Sequence, residues 1–174
     1  MLRKIIYYGV IAGLVVGSIL FGITVATAGE PPLEYGMVVG YLSMLLALSA
    51  IFIAIKRHRD QDLGGVIRFW PAFGMGLGIT VIAGIIYVLA WEAALAVTGV
   101  DFGAVYAKFL IEKKQAEGVS GEALAAFAAE MEKFRVQYSD PLFRMPMTFV
   151  EIFPVGVLVS LVSAGWLRTR RSRT

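Results

Sequence analysis

The stretch AFGMGLGITVIAGIIYVLAWEAALAVT, from Ala72 to Thr98, decides the fold. Glu92 is its one charged residue. A helix needs about 20 mostly apolar residues to cross the hydrocarbon of a bilayer, and a helix on the surface of a soluble protein would show a polar stripe instead. Three more runs read the same way: about 5–27 and 35–55 without a charge, and 145–167 with Glu151 alone. The sequence therefore predicts an all-α, polytopic membrane bundle of four transmembrane helices. It forms one membrane domain over residues 1–174, with spans at about 5–27, 35–55, 72–98 and 145–167.

The composition agrees with that class. The chain is 58% hydrophobic and 17% charged, with mean hydropathy +0.75; soluble domains carry about 25% charged residues. Cysteine is absent and the one histidine, His58, stands in Lys56-Arg57-His58-Arg59. This excludes disulfides, thiolate sites and four-ligand zinc, so no metal and no cofactor is expected. The net charge of +3 belongs to basic residues flanking the spans, so nucleic acid is not an expected partner.

Basic residues also give an orientation. Arg3, Lys4, Lys56, Arg57, Arg59, Arg68, Arg168, Arg170, Arg171 and Arg173 fall on one side. Lys108, Lys113, Lys114, Lys133, Arg135 and Arg144 fall on the other, diluted by seven acids from Asp101 to Asp140. The positive-inside rule puts the first set, and both termini, in the cytoplasm. A multi-pass protein of the bacterial cytoplasmic (inner) membrane is expected, in contact with the lipid bilayer. Trp70 and Trp166 mark the inner interface; Trp91 and Tyr87 fall toward the outer one. Arg3-Lys4, the first run and Ala26-Thr27-Ala28 resemble a cleavable signal. The run is too long for one, however, and carries packing glycines, so a retained first span is expected.

Between the spans, Ala28-Gly29-Glu30-Pro31-Pro32 makes a tight outer turn. The segment Arg59–Gly65 breaks the helix inside, and Val66–Pro71 suggests a short interfacial helix. The region 99–144 reads as an extracytoplasmic amphipathic hairpin. Its first helix runs about Phe102–Glu117 and ends at Gly118. Ser120 is the candidate N-cap of the second. There Leu124, Phe127, Met131, Phe134 and Tyr138 recur at three- and four-residue steps, predicting a buried stripe. Asp140-Pro141 stops that helix.

Within lipid, helices associate through close packing at small residues. Gly9, Gly13 and Gly17 form such a stripe on span one, Gly76 and Gly84 on span three, and Gly156 and Ser160 on span four. These seams serve first to build the bundle, and a homo-oligomer contact is the alternative. The intramembrane polar residues are the remaining feature. Glu92 and Glu151 both fall in the outer third of the bilayer. A carboxylate there costs up to roughly 2.5–3.5 kcal/mol and is expected to face the bundle interior and find a partner. A cluster of Glu92, Glu151, Tyr87 and Glu34 is expected, with Arg144, Tyr35 and Thr148 as other partners. Pro154, one turn after Glu151, frees a carbonyl toward the same region.

One resemblance follows. Tyr41-Leu42-Ser43-Met44, Ala47-Leu48, Ile51-Phe52-Ile53-Ala54-Ile55-Lys56, Arg59-Asp60, Phe69 with Ala72-Phe73, and Tyr87-Val88 with Trp91 occur in order. Met131-Glu132-Lys133-Phe134, Asp140-Pro141-Leu142-Phe143 and Glu151-Ile152-Phe153-Pro154-Val155-Gly156 follow them. With this order the chain resembles, over about residues 3–168, the bacterial four-span family catalogued as domain of unknown function 4199. The Glu-Ile-Phe-Pro-Val-Gly stretch is the most specific. Members resembling it often carry a glutamate in span two and a lysine in span three where this chain has Met37 and Gly74, so a role tied to those charges does not transfer. The resemblance implies an architecture and no activity.

No HExxH, GxSxG or phosphate-cradling glycine loop is present, so an enzyme is not expected. Two functions compete. One is association or scaffolding in the membrane, favoured by the seams and the hairpin. The other is a small proton- or cation-coupled transport protein using the outer carboxylates.

Overall fold

A computed structural model describes residues 1–30 and 35–169. Among them every regular element is helical. Helix α1 spans Leu2–Ala26, α2 Gly36–Leu48, α3 Ala50–Arg57, α4 Phe69–Thr98, α5 Phe102–Ala116, α6 Gly121–Ser139 and α7 Pro141–Leu167. A π-helical turn, His58–Asp62, continues α3. Four units are long and apolar enough to cross a membrane: α1, Gly36–Asp62, α4 and α7. This is a multi-pass membrane protein in contact with the bilayer.

Local chemistry sets the boundaries. Gly99 closes α4 in the left-handed region, at φ 64°, with its N–H on the Leu95 carbonyl; a residue with a Cβ is disfavoured there. Asp101 then caps α5, its Oδ1 accepting from the Ala104 N–H at 2.9 Å. Asp140 caps α7 in the same way through the Leu142 N–H, with Pro141 in the first turn. Asp140-Pro141 thus ends α6 and starts span four, which is longer than the 145–167 run. Within span two, Ser49 separates α2 from α3, its hydroxyl donating to the Leu46 carbonyl at 2.6 Å. Such back-bonding competes with the helical ladder.

Several expectations change. Ser120 makes no side-chain cap; Gly121, at φ 63°, turns the chain into α6 instead. Arg59–Asp62 does not break span two but extends it, and the break falls at Leu63–Arg68. Val66–Arg68 is not helical, so no interfacial helix precedes α4 and Phe69 begins the span itself. Pro31, Pro32, Glu34 and the arginines at 170, 171 and 173 lie outside the described residues.

Helix α4 is the centre of the bundle, with α1 along one side and α7 along another. Its own fit to α1 depends on missing side chains. A Cβ on Gly9 would stand 2.7 Å from Ile82 Cβ, one on Gly13 2.7 Å from Ile86 Cβ, and one on Gly17 3.0 Å from Ala90 Cβ. Three glycines one turn apart therefore receive three α4 side chains one turn apart, the close approach that small residues permit in lipid. On the other side, a Cβ on Gly156 would overlap Thr80, one on Gly76 would meet Ser160 Oγ, and one on Gly84 would press into the Phe149 ring. The buried hydroxyls of Thr80 and Ser160 donate to the carbonyls of Gly76 and Gly156, at 3.0 and 2.7 Å. Among the described residues no buried side-chain polar atom is left unpaired, as the bilayer requires.

The core gathers where α1, α3, α4 and α7 meet. Leu48, Ile51, Ile55, Met75, Ile79 and Ile152 are fully buried there. The first turn of α1 and the end of α7 sit at that end: Lys4 pairs with Asp62, and Thr169 bonds to Ile67. The opposite half of α2 is more open, with Met37, Val38, Leu42 and Leu46 all more than half exposed. Helices α5 and α6 leave the bundle at this second end as a hairpin packed on itself.

Candidate functional site

The polar residues of the hairpin end fall into two separate pairs. The first begins with Asp140. By capping α7 at its start it places Arg144 one turn in, on the side facing α4. Glu92 stands on α4 about two turns from its end. The guanidinium forks onto the carboxylate: Nε donates to Oε1 at 2.7 Å and Nη2 to Oε2. Only 13% and 19% of the two side chains is exposed. The third nitrogen, Nη1, donates to the Tyr138 carbonyl at 3.1 Å. Bidentate pairing fixes direction as well as charge.

Around this pair the aromatics of three helices, α4, α5 and α6, meet. Trp91 Nε1 donates to the Tyr138 hydroxyl at 3.0 Å, both residues being buried. Phe102 of α5 stands edge-on to Trp91, with ring centres 4.9 Å apart, and lies 5.8 Å from the Tyr138 ring. Phe134 continues the cluster at 5.4 Å from Tyr138, and Tyr106 lies 6.1 Å from Phe134. Arg144 lies 5.8 Å from the centre of the Tyr138 ring, within cation–π range. Burial pushes the Tyr138 phenol up to about 12, against the opposing pull of the Trp91 hydrogen bond and the Arg144 charge. The phenol is therefore neutral at physiological pH. A cavity of about 170 Å³ beside the knot is lined by Asp101, Tyr138, Ser139 and Arg144 among others.

The second pair is looser. The Tyr87 hydroxyl donates to Glu151 Oε2 at 3.4 Å. Tyr87 is buried, but Glu151 lies on the exposed side of α7. This corrects the expectation of a carboxylate turned into the bundle. The reason is register: Thr148, Ile152 and Gly156 are the buried positions of this stretch, and Glu151 sits one residue off that line. Pro154 is exposed as well, and α7 runs through Pro146 and Pro154 without a break.

Of the expected constellation, the structure joins Glu151 to Tyr87 and gives Glu92 to Arg144. Glu34 lies outside the described residues. Tyr35 is 70% exposed, and Thr148 donates to the Arg144 carbonyl at 3.0 Å. The Trp91–Tyr138 bond was not foreseen. The spacing of Tyr138 in its stripe marks it for burial but does not name a partner 47 positions away. The hairpin stripe is also less covered than expected. Leu124, Phe127, Met131 and Phe134 are half-buried and only Tyr138 is buried, because two helices alone cannot enclose both faces of their seam.

Outside the bilayer spans, Arg135 holds the hairpin together. It reaches Asp101 at 3.0 Å and Glu132 at 2.7 Å. The Arg135 hydrogen bond keeps the Glu132 carboxyl below its ordinary range, and the two acids raise the guanidinium in return.

Compared with known proteins, residues 7–169 match the model of the family described as "Protein of unknown function (DUF4199)". No curated protein and no solved structure matches.

Proposed function

The chain belongs to this DUF4199 family, and on that premise we propose that it works without catalysis, by association in the membrane, with the α5–α6 hairpin as its contact element. The observation that carries this is the knot of Glu92, Arg144, Trp91 and Tyr138. It commits the charged and aromatic groups of this end to joining a hairpin rigidly to the bundle. A presented rigid arm suits recognition and assembly. A transport site would instead keep Glu92 free to exchange a cation, and here a guanidinium fork neutralises it. The half-buried Leu124, Phe127 and Met131 then offer apolar surface to lipid headgroups or to another subunit. The basic end carrying both termini is assigned to the cytoplasm of a bacterial inner membrane by its charge.

The alternative, proton- or cation-coupled transport, draws support from Glu151, which is exposed on a membrane span and, among the described residues, bonded only to Tyr87. Reconstitution separates the two. Association predicts no proton or cation flux above empty liposomes, together with loss of assembly in nanodiscs when Leu124, Phe127 and Met131 are all changed to Ser. Saturable flux abolished by Glu151→Gln would overturn the proposal.

A further inference from the structure

The end where α1 begins and α7 ends holds an arrangement the hairpin does not use. The chain entering α4 and the chain leaving α7 are clasped by backbone bonds. The Thr169 N–H donates to the Ile67 carbonyl at 3.0 Å, and the Ile67 N–H donates to Thr169 Oγ1 at 2.7 Å. Ile67 and Leu167 are 2% and 3% exposed, so the clasp is anchored in the core. It sets Arg68-Phe69-Trp70 beside Trp166-Leu167-Arg168, two triplets that mirror each other in sequence. In each the middle residue turns inward and the flanking ones outward. Trp70 is 74% and Trp166 80% exposed, and Arg68 and Arg168 are exposed too.

Nearby acids are already occupied. Asp62 takes Lys4 at 2.8 Å and His58 at 2.7 Å, and Asp60 takes Arg59 at 2.6 Å. Arg57 donates to the Tyr8 hydroxyl. Among the described residues, Arg68 and Arg168 have no ion-pair partner. Two unspent guanidiniums, each two residues from an exposed indole, at the clasped ends of two membrane spans have a specific chemical meaning. Indoles of this kind sit at headgroup level, and the guanidinium fork matches the oxygens of a phosphate. Below Trp166, Val162 and Leu158 continue an exposed apolar line along α7, 60% and 58% exposed. A free phosphate has no use for that line, whereas an acyl chain does.

We propose that Arg68, Arg168, Trp70 and Trp166 form a binding site for the headgroup of an anionic phospholipid, in the leaflet at the end where Lys4 pairs with Asp62. The site is independent of the hairpin and of what the hairpin contacts. The test is retention of phosphatidylglycerol against phosphatidylcholine by the detergent-solubilised full chain, read by native mass spectrometry. The double variant Arg68→Gln/Arg168→Gln should weaken phosphatidylglycerol retention by about thirtyfold or more, because each guanidinium makes a direct charge-assisted contact to the headgroup phosphate. The double Arg3→Gln/Lys56→Gln removes equal charge at the same end without such a contact and, with no membrane surface in detergent, should weaken it less than about threefold. Equal losses in the two doubles, equal retention of phosphatidylcholine, or displacement of the lipid by inorganic phosphate at equal concentration would each overturn the site. A second measurement needs no variant. In nanodiscs of the unaltered protein, brominated phosphatidylglycerol should quench tryptophan emission more than brominated phosphatidylcholine at equal mole fraction, and equal quenching refutes the proposal.

Discussion

At the scale of single residues, Glu92 and Arg144 are the most costly to disturb. Both are largely desolvated and satisfy each other through a fork. Removing one partner strands the other in a low-dielectric site, so Arg144→Gln should destabilise the protein by about 3 kcal/mol. The double variant Glu92→Leu/Arg144→Met should recover most of that loss, because no lone charge remains. Unfolding by sodium dodecyl sulfate from mixed micelles measures both. Equal stability of single and double variants would show that the pair is not desolvated as described. Glu151 calls for the opposite expectation. Its side chain is exposed and its one bond is long, so Glu151→Leu should cost no more than about 1 kcal/mol, close to Glu151→Gln. A loss near that of Arg144→Gln would mean that Glu151 has a partner beyond Tyr87. The sequence shows that these carboxylates lie at membrane depth, because depth follows from counting along an apolar run. It does not show which way each points. A one-residue difference in register decides between the bundle and its surface, as Glu151 beside Ile152 demonstrates.

At the scale of helices, the fit of α1 to α4 is a property of spacing. Gly9, Gly13 and Gly17 are legible as a seam because four-residue repetition of small residues has one main use in lipid. Their counterparts Ile82, Ile86 and Ala90 are not legible, since apolar residues occupy every face of α4 and no spacing singles these three out. Gly13→Val should force Ile86 or the α1 backbone aside and cost about 1–3 kcal/mol. Gly22→Ala, at a position with nothing within 4 Å, should be neutral or slightly stabilising. If thermal unfolding in detergent finds the two variants alike, the seam is not the contact described. The hairpin responds to pH instead. Arg135 lowers the pKa of Glu132 in the folded state, so the contribution of this pair is present above the unfolded glutamate value of about 4.3. It is lost as pH falls through the lower folded value. Amide exchange within α5 and α6, corrected for its intrinsic pH dependence, should therefore hold steady from pH 7 to about 5 and quicken only below about 4. Quickening between pH 7 and 6 would point to another group.

At the scale of the whole molecule, four apolar runs suffice to give the number of spans, because length and hydropathy are the two quantities a bilayer selects. The arrangement of those spans needs the structure. Helix α4 becomes the centre because it presents small residues to both neighbours: Gly78 and Ala83 toward α1, and Gly76 and Gly84 toward α7. The same centre links the two ends. At one, Trp91 and Glu92 hold the hairpin; at the other, the chain entering α4 is clasped to Thr169. Charge is distributed unequally between these ends, and this permits a prediction about the protein in its membrane. The end where α1 begins and α7 ends carries Arg3, Lys56, Arg57, Arg68 and Arg168 on its surface. At the hairpin end, Lys114 and Arg135 are matched by Glu117, Glu132 and Asp101. Lys and Arg close to span ends resist translocation, and the end of the bundle near Lys4 holds more of them than the hairpin end. Reporter fusions after residue 30 and after residue 120 should therefore read as extracytoplasmic, and one after residue 62 as cytoplasmic. Replacing Arg3, Lys4, Arg57 and Arg59 together by Gln should weaken that preference and yield a mixed population. A uniform cytoplasmic signal at residue 120 in the unaltered chain would reverse the orientation and place the hairpin among cytoplasmic partners.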